Sequence, residues 1–276
     1  MKKTDTAMVS FIMAGILTLF RVPLKLFNIS PDTGFFYRGN ILGITFNIVF
    51  FCSLLVGAIY VFANREDFKL PLRTGLIRSA AAFLTGTVTA AISAFKLFCE
   101  PYAVSNSPNA IPPMLSVGGD ILGIAAGAAL IFMALSVFSG NSCKLGEFAS
   151  LILPCWCALS MLCDFMNFRF VLTASDQLMQ TIFMLSSTMF FLRLSKEIIY
   201  KTGNTIGFIL PGVLTVITGF PLALAQLAAL MLVGDFISGP SCLETIEILT
   251  ISIFAFVLLL SPIKKRDPRL GEKPEE

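Results

Sequence analysis

Apolar residues along this chain fall in long blocks rather than in the alternation of a half-buried sheet, and polar, charged or proline-bearing segments separate them. Eight blocks can be marked off, over 6–20, 41–63, 74–97, 113–138, 148–163, 177–194, 202–234 and 242–261. A helix rises about 1.5 Å per residue and a hydrocarbon core is about 30 Å thick, so each block reads as a helix crossing a bilayer. The first follows Met1-Lys2-Lys3 as a secretory signal would. However, Arg21, Val22 and Pro23 stand where small residues should permit cleavage, so it reads as a retained first helix. Pro101, Pro108, Pro112 and Pro113 mark a surface segment with a helix start just behind it. Ser241 and Glu244 have capping-box spacing, which predicts the start of the last helix.

The block over 202–234 contains no charged residue and is the longest. As one helix it would reach roughly 50 Å, too much for one upright span and too little for two with a turn. It must therefore tilt, kink or break. The hinge candidates are Pro211, Gly212, Gly219 and Pro221, since proline removes a backbone donor and glycine loosens the helix. Broken membrane helices are where many transporters hold their substrates.

Composition turns this pattern into a fold class. With 13% charged and 56% hydrophobic residues the chain departs from the soluble average, and its mean hydropathy is +0.84. The expectation is an all-α, polytopic integral membrane helix bundle of about eight transmembrane helices, forming a single membrane domain over 1–276. Thr74-Gly75 and Thr202-Gly203 open the third and seventh blocks, a weak echo of two four-helix halves, 1–140 and 141–276. Fifteen of the twenty Lys and Arg residues fall at the N-terminus, near 64–78, 139–147 and 193–204, and in the C-terminal tail. The remaining five are Arg21, Lys25, Arg38, Lys96 and Arg169. That bias predicts cytoplasmic N- and C-termini in a multi-pass plasma-membrane protein.

The chemistry is bounded mostly by exclusion. The net charge of +3 implies no nucleic-acid partner, and the absence of histidine removes Ser-His triads, HExxH sites and His-ligated metals. Seven cysteines make no zinc pattern; Cys155 and Cys157 read as packing, while Cys99 and Cys242 could pair if their loops meet. No cofactor, metal site or enzyme motif is implied. Gly119, Gly123 and Gly127 form a bare stripe suited to close helix contact. Thr85, Thr87, Thr89 and Ser93 are expected to satisfy their hydroxyls on their own backbone.

Carboxylates near the outer helix ends remain, because they are too short to snorkel far and need a partner, a wet cleft or a cation. Asp176 is expected to cap its helix, Asp164 to pair with Arg169, and Lys96 to pair with Glu100 one turn away. Asp120 lies two turns past Pro113, and with Gln226, Glu247 and Asp164 it completes the candidate binding set. These features suggest a permease or channel-like protein for a small solute or cation. The alternative is a non-catalytic binding or assembly subunit of a membrane complex. Expected partners are the lipid bilayer, a small solute or cation, and a protein partner or second copy.

Overall fold

The computed structural model describes residues 6–29, 41–64, 75–99, 113–140, 144–167, 175–200, 206–232, 234 and 240–260. These form an all-α bundle with no strand among the described residues. Its helices are α1 (Thr6–Asn28), α2 (Ile41–Ala63), α3 (Leu76–Cys99), α4 (Pro113–Leu135), α5 (Lys144–Ala149), α6 (Ile152–Asn167), α7 (Ser175–Tyr200), α8 (Ile206–Leu232) and α9 (Cys242–Leu259). Seven spans among the described residues are long and apolar enough to cross a membrane, with α5 and α6 counted as one. The remaining long helix, α7, is not among them; it carries Asp176, Arg193, Lys196 and Glu197 and packs among the others.

The surface explains why the solvent is lipid. Along α2 the buried residues Gly43, Phe46, Phe50, Ser53, Gly57 and Val61 follow one helical stripe. Its other faces expose Ile44, Ile48, Phe51, Leu55 and Phe62, so the helix is apolar all round while only one side meets protein. In water such a face would drive aggregation; in a bilayer it is matched to acyl chains. The chain is a multi-pass membrane protein in contact with lipid.

Helices α3, α4, α6, α7, α8 and α9 contact one another in a closed cycle, and α1 and α2 pack onto α8. The end of α1 meets the start of α7, the end of α3 meets the start of α9, and the end of α8 meets Pro240, two residues before α9. We call this the carboxylate end. At the opposite end the Ser79 hydroxyl donates to the Ala134 carbonyl, and that of Ser195 to Ser150. Buried aromatic rings fill the bundle between α4, α7 and α9: Phe254 lies 6.1 to 6.2 Å from Phe138, Phe190 and Phe191.

The structure moves several expected boundaries. The first helix does not stop at Phe20 but continues through Pro23 to Asn28, because the buried stripe of Ser10, Ala14 and Leu17 runs on into Arg21 and Lys25. The fifth block is divided by a turn at Ser150 and Leu151. Pro154 then falls in the first turn of α6, where a backbone donor has no helical partner to lose.

No break interrupts α8, which is one helix through both prolines. The Thr215 hydroxyl donates to the Pro211 carbonyl at 2.9 Å and that of Thr218 to Leu214 at 2.8 Å, so hydroxyls line the same segment that lacks amide donors. Its glycines serve close approach instead. A side chain at Gly212 would press on the Phe190 ring at 3.2 Å, and one at Gly219 would meet Ser252 and the Phe183 ring. Pro221 is buried, so Pro221→Ala restores a donor while removing two ring carbons from the interior. We expect the variant to unfold thermally in detergent no earlier than the parent, and earlier unfolding would show that the ring itself packs.

The glycine stripe of α4 is a packing face for two of its three members. Gly127 faces the Gly86 backbone of α3, and Gly123 leaves room for Ser93 and the Trp156 indole, whereas Gly119 meets nothing within 4 Å. Cys99 and Cys242 are both free and exposed, so the pairing allowed by their positions is not formed.

Candidate functional site

Two charged groups occupy the carboxylate end, and they differ in burial. The deeper one joins α1 to α7. Asp176, in the first turn of α7, takes Arg21 on one oxygen and Lys25 on the other, the lysine at 2.6 Å. Arg21, Lys25 and Asp176 are each no more than 1% exposed, and the Arg21 guanidinium lies 5.0 Å from the centre of the Phe46 ring of α2. Arg21 and Lys25 are four residues apart, hence on one face of α1, and this lets a single carboxylate bridge both. Asp176 is thus not merely a helix cap: the cations of another helix claim its side chain. So dry a cluster staples three helices together and offers a solute no path to it.

The second group is half-buried and draws on α3, α4 and α9. Lys96, near the end of α3, donates to Glu244 Oε1 at 2.9 Å, with side-chain exposures of 22% and 31%. Its expected partner Glu100 lies outside the described residues, and the ion pair formed is with a helix start far along the chain. Glu244 also closes the predicted capping box, accepting from the Ser241 amide at 2.9 Å. Glu247, one turn further along α9, and Asp120 of α4 both act electrostatically on the Lys96 ammonium. One carboxylate of α9 therefore pairs with a cation of α3, and two more, from α9 and α4, add to the negative field on it.

Directly below lie Ser93 of α3 and Trp156 of α6, which approach each other across Gly123. Cys157, also of α6, is buried and within electrostatic reach of Glu247. Thr85 and Thr87 satisfy their hydroxyls one turn back, as expected, and Thr85 also reaches the Thr250 carbonyl of α9. Thr89 does not: its hydroxyl is fully buried and has no hydrogen-bond partner. That corrects the expectation that every hydroxyl on this helix is satisfied locally.

Of the residues singled out from the sequence, Asp120 and Glu247 both lie within electrostatic reach of Lys96. Gln226 is not joined to them by any described contact; its amide nitrogen donates to the Pro240 carbonyl at 2.9 Å, tying the end of α8 to the start of α9. Asp164 lies in α6, and neither its side chain nor Arg169 is among those described. In the sequence Lys96 and Glu244 each have a local explanation, and Arg21 and Lys25 count among the loop cations. The i,i+4 spacing of Arg21 and Lys25 was the available signal for the buried cluster. No protein-family model matches this chain, and neither a curated protein nor a solved structure matches it.

Proposed function

We propose that this membrane protein is a permease or channel-like protein that admits a small solute or cation at the carboxylate end. The observation that carries this reading is the half-buried Lys96–Glu244 pair, with Glu247 and Asp120 in electrostatic reach of it, on helices of a closed cycle. Carboxylates outnumber the ammonium three to one there, and half-buried carboxylates in a membrane bundle attract cations or line wet cavities. Below them the aromatic rings around Phe254 fill the interior, so this state is closed toward the opposite end. Movement of α8 about Pro211, Gly212, Gly219 and Pro221, where backbone bonding is thinnest, is the motion best suited to parting that floor.

In this reading the carboxylate end faces the outside of the plasma membrane and both termini face the cytoplasm, as the basic residues require. Reporter fusions after residue 105 should read outside, and those after Lys144 or at the C-terminus inside. Protein reconstituted in liposomes should carry small cations faster than empty liposomes do. Glu247→Gln and Asp120→Asn should slow that flux about tenfold or more, with thermal stability unchanged. Liposomes no more permeable than empty ones, to inorganic and organic cations alike, would leave the assembly-subunit reading. Its support is the uncovered backbone at Gly118 and Gly119, where a partner helix could approach closely.

A further inference from the structure

Lys96 shows what chemistry the half-buried site accepts. Its ammonium donates to Glu244 Oε1 at 2.9 Å while Glu247 and Asp120 add to the negative field on it. A lysine side chain ends in a primary alkylammonium on a flexible stem with three donors, so the site is already shaped around that group. The stem starts three residues before the end of α3 and keeps 22% of its side chain exposed, which lets the head swing toward the surrounding water.

Thr89 supplies an independent sign that something else belongs there. It lies two turns below Lys96, about 20° away around the helix, and about 40° from Thr85, which touches the Thr250 carbonyl. Contacts of the same stripe with α9 above and below place Thr89 level with Glu247. A hydroxyl buried without a partner costs free energy, and most threonines of the described helices avoid that cost by bonding the carbonyl one turn back. Ser93, between Thr89 and Lys96 on the same face, extends the polar column.

We propose that Lys96 is a tethered stand-in for the ligand, and that the ligand is a small primary ammonium compound. It is held between Glu244, Glu247 and Asp120 and hydrogen-bonded below by Thr89 once Lys96 swings aside. This deepens, and rests on, the reading of the carboxylate end as the place where solute is admitted. Lys96 then acts as an intramolecular competitor. Apparent affinity falls by the fraction of time the site is free, so a lysine seated about nine-tenths of the time lowers it about tenfold. It also keeps the carboxylates balanced when no ligand is present.

Trp156 is the single tryptophan of the chain and lies beside Ser93, so its fluorescence reports directly on this site. The experiment titrates the protein in lipid nanodiscs with methylammonium chloride, against tetramethylammonium and sodium chlorides at equal ionic strength. We expect a saturable response to methylammonium alone, since only it keeps three N–H donors on one nitrogen. Lys96→Met should lower the half-saturating concentration about tenfold, and Glu247→Gln or Thr89→Val, which keep the Lys96–Glu244 pair, should raise it by about as much. Equal responses to all three salts would overturn the ligand class. Wild-type binding that Lys96→Met fails to tighten would overturn the tether while leaving solute admission intact. No response in the wild type or in folded Lys96→Met would sink both. Should Lys96→Met not fold, unchanged binding by Glu247→Gln and Thr89→Val would still refute the site.

Discussion

Replacing Asp176 with alanine is expected to cost about 3–5 kcal/mol of stability, enough to empty the membrane of folded protein at growth temperature. The size follows from what stays behind. Arg21 and Lys25 are 0% and 1% exposed, and Asp176 is the carboxylate that both of them touch. Taking it away leaves two cations facing each other in a dry, low-dielectric interior, where neither can rotate to water without unpacking α1 from α8. Asp176→Asn keeps the shape but only one of the two accepting oxygens and none of the charge, so it should recover only part of the loss. The triple variant Arg21→Met, Lys25→Met, Asp176→Leu removes the charges together and should come back to within about 2 kcal/mol of the parent, because buried ion groups are often replaceable by apolar packing. Thermal unfolding of the purified protein in detergent, read by helical circular dichroism, checks all three. A parent-like midpoint for Asp176→Ala would mean that water reaches these cations and that the staple is not dry.

The parts of the fold that were legible in the sequence are those fixed by bulk hydropathy. Blocks such as 41–63 and 202–234 are uncharged from end to end, and each became one helix, α2 and α8. Legibility ended where charge enters the bundle. Hydropathy closes the first helix at Phe20 because an arginine follows, yet the helix continues because Asp176, on an element 155 residues away, neutralises that arginine. Pairing across such a separation leaves no local pattern beyond the i,i+4 spacing of Arg21 and Lys25.

The same limit governs the candidate site. The depth of Asp120 and Glu247 can be counted from Pro113 and Ser241, which is what makes both candidates in the sequence. Their common cation cannot, since Glu100 offers Lys96 a nearer partner in sequence than Glu244, which lies 148 residues away. Prolines in α8 were visible as missing donors. What surrounds them, the Thr215 and Thr218 hydroxyls and the Phe190 and Phe183 rings against the glycines, depends on which helices become neighbours.

Gly127→Ala should be the most damaging single methyl group in the chain. A Cβ there would stand 2.5 Å from the Gly86 carbonyl oxygen and 2.6 Å from the Ala90 amide nitrogen, and one at Gly86 would stand 2.6 Å from the Gly127 oxygen. These neighbours are backbone, so no rotamer change relieves the overlap, and α3 and α4 must separate along the whole crossing. Overpacking of a tight core costs about 1–3 kcal/mol, and rigid backbone on both sides puts this position at the upper end. Gly119→Ala is the matched control, on the same helix two turns away, with nothing within 4 Å of the new methyl. It should be neutral or slightly stabilising, as alanine favours the helix. Unfolding midpoints of the two variants in detergent decide the matter. Equal midpoints would show that α3 and α4 do not meet through this glycine contact, and would remove the crossing that positions Asp120 against Lys96.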